Sequence, residues 1–406
     1  MSRRRPACDV STSAVPPSPA TDTTRNRALR FVLLIGTVSL FADMAYEGAR
    51  GINGPFLLLL GASGAVVGTV AGLGELLAYG LRLLSGRWAD RSRRYWTIAI
   101  LGYALNMLAV PILALAGSWP LAALFMLLER TGKAIRNPPR DAMLSSASHV
   151  LGRGFTFGLH ETLDRVGGTL GPLLAALVLG LRGQYTLAYL LLGIPAGAAM
   201  VTLLVARATN PRPHDLEPPQ VAVAARGFDR RYWLAVAAGA FLAAGLVDFP
   251  LLAYHLGRIG TVPAAAIPVL YAFTNAVSGV GAFALGRAGD AWGRRRLAPL
   301  VLAPVLSTPL VLIGTPAAAI VGFALWGIGL GVVASLFKPL IASLVPGIRR
   351  ATAFGTFDAA FGIAWFAGSA LLGVLYDKSE TAMAVLSALL VLMAFPLLMA
   401  ATDART

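Results

Sequence analysis

The sequence predicts an all-α integral membrane protein of twelve transmembrane helices, and three observations carry that reading. Of its 406 residues, 57% are hydrophobic and only 13% charged, and the mean hydropathy is +0.71, a composition outside the range of soluble domains. Apolar runs of about 20 residues, the length that crosses roughly 30 Å of hydrocarbon in helical form, recur from Leu29 to Ala400. Positive charge gathers in alternate loops.

In order, the expected spans cover residues 29–60, 62–85, 95–117, 119–141, 154–180 and 184–206, then 231–256, 263–286, 297–314, 316–345, 351–376 and 380–401. The formal charge of +15 would point to nucleic acid in a soluble protein, but its placement excludes that partner. Arg3 to Arg5, Arg25, Arg27 and Arg30 precede the first span, and Arg87, Arg91, Arg93 and Arg94 follow the second. Arg140 and Arg153, then Arg207 to Arg231, Arg287 to Arg296, and Arg349 with Arg350 continue the series, while the opposite loops hold only Arg182, Arg258 and Lys378. The positive-inside rule puts both termini in the cytoplasm, which an even number of spans requires. Arginine outnumbers lysine 31 to 3, a bias associated with GC-rich bacterial genomes, so a bacterial cytoplasmic membrane is expected. Cys8 is the lone cysteine and stands in a Ser/Thr/Pro/Arg-rich tail without an apolar segment before it, which excludes disulfides and argues against a signal peptide or lipid anchor. Residues 1–27 are expected to be a disordered cytoplasmic tail.

The chain is duplicated. GRWADRSRRY from Gly86 returns as GRAGDAWGRRR from Gly286, 200 residues on; Pro139 and Pro339 share that offset, and Phe157–Gly158 and Phe354–Gly355 are 197 apart. Residues 28–206 and 230–406 are therefore expected to form two six-helix bundles, joined by a Pro- and Arg-rich cytoplasmic linker at 207–229. These loops carry G-x-x-x-D-R-x-G-R-R, matched by Gly86, Asp90, Arg91 and Arg94 in the first copy and by Gly286, Asp290, Gly293, Arg294 and Arg295 in the second. In this the chain resembles the major facilitator superfamily (MFS), which implies two pseudo-symmetric bundles, a cavity lined by the first, fourth, seventh and tenth helices, and transport by alternating access. Within the loop, the aspartate can accept from amides at a neighbouring helix N-terminus while the arginines seek acidic partners. Asp141 is the expected partner of Arg91 or Arg94, forming a conformational latch.

Charges inside the spans are the candidate site, because an ionised side chain in hydrocarbon is expensive unless it faces a cavity or a partner. Spans three, six, nine and twelve carry none in their interiors, as expected of an outer lipid-facing ring. Span one places Asp43, Glu47 and Arg50 on one helical face, span four places Glu129, Lys133, Arg136 and Arg140 on one stripe beside Arg130, and span two adds Glu75. Span five adds His160, Glu161, Asp164 and Arg165, with i, i+4 spacing joining His160 to Asp164 and Glu161 to Arg165. The second half offers Asp248, Lys338 and Asp358, suggesting proton handling in the first bundle and selectivity in the second. Gly48, Gly51, Gly54 and Pro55 loosen the helix beside Asp43 and Glu47, which favours a proton-coupling role for that pair. Pro138 and Pro139 remove two amide donors and are expected to kink or end span four.

Span five also reads G-x8-G-x3-G-P through Gly158, Gly167, Gly171 and Pro172, and resembles the fifth-helix motif of proton-driven drug exporters. Its final pair is Ala175 and Ala176 where the motif has glycines, and small residues of this kind also serve helix packing. The segments DMAYEGARGINGPFLLLLGAS and ERTGKAIRNPPRDAML resemble a functionally unassigned prokaryotic group of the same superfamily. The expected function is proton-coupled export of amphipathic or small organic compounds. Import of an organic anion on Lys133, Arg136 and Arg130 is the alternative, and a non-transporting membrane sensor is the alternative of another class. Expected partners are a small-molecule substrate, protons and the lipid bilayer, with a monomer as the simplest assembly and oligomeric state open. No phosphate-binding loop occurs, and the four histidines lack ligand-like grouping, so no enzyme, metal or cofactor is expected.

Overall fold

In the computed structural model, residues 22–211, 227–292, 294–346 and 350–402 are described, and among them there is no strand. The first six helices are α1 (Asp22–Leu59), α2 (Gly64–Ser92), α3 (Tyr95–Ile112), α4 (Trp119–Leu151), α5 (Arg153–Arg182) and α6 (Tyr185–Thr209). α7 follows in two pieces, Arg230–Gly245 and Phe249–Ile259, and then α8 (Ala266–Trp292). α9 joins Arg294–Leu297 and Ser307–Ile313 through a 3-10 stretch at Ala298–Leu306. α10 joins Pro316–Val332 and Lys338–Leu344 through a π turn at Val333–Phe337. α11 (Arg350–Lys378) and α12 (Glu380–Thr402) complete the set.

Eleven of the twelve are long and apolar enough to cross a membrane. The twelfth is α4, whose 33 residues include Glu129, Arg130, Lys133, Arg136, Arg140 and Asp141. It runs ten residues beyond its expected end at 141, so Pro138 and Pro139 do not terminate it. The Ala134 carbonyl, orphaned four residues before Pro138, accepts instead from the Ser85 hydroxyl of α2 at 2.9 Å.

Other interruptions have equally local causes. α7 breaks because Asp248 caps a new helix start: its side chain accepts from the Phe249 amide, and Pro250 occupies the first turn, where no amide donor is needed. In α10 the π turn precedes Pro339, whose ring would crowd the Ser335 carbonyl in a regular helix.

The helices pack as two groups. α1 lies against α5 and α6, α2 and α3 against α4; in the second group α7 meets α11 and α12, and α8 meets α10. Contacts of α2 with α11, α5 with α8, and α1 with α7 join the groups. Large apolar side chains such as Leu108, Leu181, Ile194, Val280, Ile313 and Leu389 stand exposed on the outside, as lipid-facing surfaces require.

Odd helices run away from the face that holds Asp22 and Thr402, here the terminal face, and even helices return. The two ends differ in closure. At the far end, a Cβ on Gly54 would stand 2.0 Å from the Pro250 oxygen, and one on Gly68 2.9 Å from the Gly373 Cα, so the backbones of the two groups cross in contact. Toward the terminal face, a Cβ on Gly154, Gly158, Gly286 or Gly355 would meet nothing within 4 Å.

Candidate functional site

Between the groups lies a polar cavity of two joined chambers. The larger, about 620 Å³, is lined by α1, α2, α4 and α5 with Asn275 and Lys338 from the second group. A deeper chamber of about 290 Å³ continues toward Arg50 and Glu75, with Trp326, Phe357, Phe361 and Trp365 on its other wall. Glu47, Arg82, Lys133, Arg165, Asn275 and Lys338 line both.

Most of the cations are neutralised in place. Arg50 Nη2 lies 2.8 Å from Glu75 Oε1 and 2.9 Å from Asp248 Oδ1, tying α1 to α2 and to the break in α7. Arg130 faces Glu129 at 3.4 Å and Glu75 at 3.8 Å. Arg136 is fully buried and reaches Asp43 at 3.3 Å, while Tyr103 stacks under its guanidinium at 4.5 Å. Arg140 holds Asp141 through Nε at 2.9 Å and Nη2 at 2.8 Å, and Arg165 holds Glu161 at 2.8 Å. Such pairs offset a desolvation penalty of several kcal/mol per ion only when both partners stay in place, so they fix helix rotation more than they add stability.

Two tyrosines and a histidine organise the remainder. Tyr46 receives a hydrogen bond from Lys133 at 2.6 Å and donates to Asp43 at 3.4 Å. Tyr271 of α8 donates to Glu47, a bond between the two groups in the middle of the cavity. His160 Nε2 lies 2.9 Å from the Ser39 hydroxyl and Nδ1 lies 3.4 Å from Asp164, so the imidazole bridges α1 and α5. Asp164 Oδ1, with Nε and Nη1 of Arg136, is buried without a hydrogen-bond partner. Among the described residues no group of three His, Cys, Asp or Glu could hold a metal ion.

The charges expected on one face of α1 do converge on the cavity, as do Glu75, Lys133, Arg136, Glu161, Asp164 and Arg165. Glu129, Arg130 and Asp248 do not line either chamber. Glu129 is turned toward α3, where Asn106 donates to its carboxylate and its carbonyl at 2.8 Å each, and Arg130 borders only a small void beside it. Nor does α7 line the chambers: capped at Asp248, its second piece packs on α1 near Gly54. Instead α2, α5, α8 and α11 join α1, α4 and α10 around the cavity.

Among the described residues, the first copy of the loop motif does not engage Asp141. Asp90 accepts from Tyr95 at 3.1 Å, Arg91 and Arg94 are exposed, and Asp141 is taken by Arg140, its chain neighbour, rather than by either of them. A Cβ on Gly86 would stand 3.6 Å from Pro138, one on Gly286 would meet nothing within 4 Å, and Arg295 is exposed. Gly293 and the side chains of Asp290 and Arg294 lie outside the described residues. A latch exists at the opposite end: Asp377 of α11 accepts from the Gly64 and Ala65 amides at 2.8 Å each, capping the start of α2 across the interface. The fifth-helix motif serves packing, since a Cβ on Gly167 or Gly171 would stand 2.1 or 2.0 Å from the Leu40 or Met44 carbonyl oxygen of α1. A Cβ on Gly51 would sit 3.5 Å from Pro172, so that proline closes against α1 as well.

Tyr271, Asn275, Arg82 and Asp377 escaped the sequence reading as site residues. Tyr271 and Asn275 are one turn apart on α8, and a polar pair at that spacing in an apolar span was the available signal. Asn275 donates to the Gly168 carbonyl of α5 at 3.1 Å.

A family model described as Major Facilitator Superfamily matches residues 33–369. An uncharacterized protein of Mycobacterium tuberculosis is 40% identical over 380 residues, 92% of this chain and 93% of that one. An uncharacterized MFS-type transporter of Methanocaldococcus jannaschii is 27% identical over 89% of this chain and 94% of its own. The fosmidomycin resistance protein of Escherichia coli is 30% identical over 129 residues, 31% of this chain and 29% of that protein. The multidrug resistance protein MdtH of Proteus mirabilis is 31% identical over 124 residues, 30% and 31% of the two chains. Among solved structures, nucleoside transporter NupG superposes with a TM-score of 0.72 at 14% identity over 92% of this chain and 100% of that one. A bacterial homologue of the human lysosomal transporter Spinster superposes with a TM-score of 0.69 at 18% identity over 94% and 96%.

Proposed function

The chain is a member of the major facilitator superfamily, and from that premise we propose that it is a secondary transporter that exports small organic compounds in exchange for protons, by alternating access. Residues 28–206 and 230–406 are taken as the two moving bundles, joined by residues 207–229. The terminal face is assigned to the cytoplasm because the arginine-rich loops lie there. The cavity then loads from the cytoplasm while the far face is shut.

One observation carries the coupling: Glu47 lies at the junction of the chambers and is bonded to Tyr271 of the other bundle. As a carboxylate it holds the bundles through a charge-assisted hydrogen bond, a class worth roughly 1.5–3 kcal/mol. Protonation would discharge that acceptor and leave Lys133 with less opposing charge, so substrate and proton compete for one region. Asp43, already shared between Arg136 and Tyr46, would relay or buffer the same proton. Reopening toward the far face must also separate Arg50 from Asp248.

Export is favoured over import by the partial similarity to the fosmidomycin and multidrug resistance proteins. The test is pH change inside sealed proteoliposomes with an imposed proton gradient, on adding pooled candidate compounds. Wild type is expected to give a compound-dependent proton flux in the antiport direction. Glu47→Gln should abolish it and Asp43→Asn should reduce it at least tenfold. Flux that survives both changes sinks the coupling assignment, and flux of the opposite sign makes the protein an importer.

A further inference from the structure

The ion pairs leave a remainder. Arg50, Arg130, Arg136, Arg140 and Arg165 each have a carboxylate within 4 Å, whereas among the described residues Arg82, Lys133 and Lys338 have none. These three come from α2, α4 and α10, that is, from both bundles, and all three line both chambers. Lys133 donates only to a neutral tyrosine hydroxyl. Arg82 stacks on Tyr79 at 5.0 Å, and its buried Nε has no acceptor. Lys338 follows the π turn and stands exposed to the cavity. The nearby acids stop short of a salt bridge: Glu47, the charge that opposes Lys133, is bonded to Tyr271, and Asp358 faces Lys338 and Arg82 together without forming a pair with either. A cation left without a salt-bridge partner in a membrane interior is expensive, and its usual explanation is a ligand.

Beside the three cations the wall changes character. Trp326, Phe357, Phe361 and Trp365 form an aromatic surface on the second bundle. Phe361 stands edge-on to Trp365 at 5.4 Å. Trp326 spends its indole N–H on the Val247 carbonyl, but the N–H of Trp365, a residue only 4% exposed, is buried without an acceptor. A small set of convergent polar groups against an apolar wall is what an organic ligand requires.

Resting on the reading of this cavity as the transport site, we infer that the substrate is an amphipathic organic anion. Its carboxylate, phosphonate or sulfonate sits among Arg82, Lys133 and Lys338, and its apolar, preferably aromatic, body lies on Trp326, Phe357, Phe361 and Trp365. Arg136 and Arg130, the obvious cations in the sequence, are occupied by Asp43, Glu129 and Glu75 and take no part. Because the anion touches α2 and α4 on one side and α10 on the other, it draws the bundles together around itself, which is what a substrate must do to be carried across.

The experiment is thermal unfolding of the purified full-length protein with graded benzoate, phenylphosphonate, benzamide, benzyltrimethylammonium or sodium sulfate, since a ligand bound only to the folded state raises the melting point with the logarithm of its concentration once that exceeds Kd. Benzoate and phenylphosphonate are expected to raise the melting point in this logarithmic way, and the amide, the cation and sulfate are not. Arg82→Gln and Lys338→Gln should each weaken anion binding at least tenfold. Lys338→Arg, which keeps the charge, should stay within about threefold of wild type and shows that the site itself persists. Equal stabilisation by the amide or the cation, sulfate matching the organic anions, no response to either anion, or indifference of the anions to both Gln variants would each overturn the proposal. Binding needs no turnover, so its outcome separates from that of the transport reading: anion binding without proton flux would remove the transport reading alone, and flux driven only by cations would remove this one alone.

Discussion

At the scale of single residues, glycine and charge act on different problems. Gly171 brings α5 into contact with α1, where a Cβ would stand 2.0 Å from the Met44 oxygen and 2.9 Å from the Gly48 nitrogen, whereas a Cβ on Gly158 would meet nothing. Both belong to the same exporter-like motif. Gly171→Ala is therefore expected to destabilise the protein by about 1–3 kcal/mol, as overpacking against backbone does, and Gly158→Ala, in open space within α5, to stabilise it by up to about 1 kcal/mol, the helix-propensity gain of alanine over glycine. Denaturation midpoints in one detergent decide the matter, and equal effects would mean that the motif does not act through α1–α5 packing. The charges of the site were legible in the sequence because intramembrane ionisable residues are rare enough to stand out. Their pairing was not. Whether Arg136 meets Asp43, or Glu129 turns to Asn106, depends on helix rotations that spacing along one helix leaves free. Tyr271 was invisible for a related reason: a tyrosine in an apolar span is ordinary until Glu47 is found opposite it.

At the scale of elements, the twelve spans could be read from length and apolarity alone, and even α4 was found despite its charges. What patterning missed were the interruptions. The break in α7 has a recognisable signal in Asp248, with a proline two residues on, but an acid within a hydrophobic run was taken as a cavity charge when it is first an N-cap. Its two duties separate by substitution. Asp248→Asn keeps an oxygen for the Phe249 amide and loses the charge opposite Arg50; Asp248→Ala loses both. The alanine variant should therefore be less stable than the asparagine variant by about 1 kcal/mol, the typical worth of a cap. Thermal melts of the two proteins provide the comparison, and coincident melts would show that the carboxylate serves only the ion pair.

At the scale of the molecule, closure of the far face is built from small, separable contacts, as the proposed gate requires. Glycines let the backbones of α1 and α7, and of α2 and α11, meet. Tyr254 donates to the Ala62 carbonyl at 3.0 Å, and Asp377 caps α2 from the opposite bundle. The latch expected from the loop motif lay at the other face, and under the proposed alternating access the two would engage in turn: Asp90 stands at the terminal end of α2, and Asp377 caps its far end. On that reading Asp377 is the counterpart of the loop aspartate, engaged when the loop is not. Removing it should shift the equilibrium toward a state open at the far face, because two hydrogen bonds to a charged acceptor are lost there and none elsewhere. Ala62, buried beneath this closure at 4% exposure, reports the shift. With Cys8 replaced by serine, Ala62→Cys should react slowly with a membrane-impermeant maleimide, and adding Asp377→Ala should raise the rate at least fivefold while Asp377→Glu raises it less. An unchanged rate in the alanine variant would mean that the glycine-lined backbone contacts hold the far face shut on their own, and that Asp377 merely caps a helix.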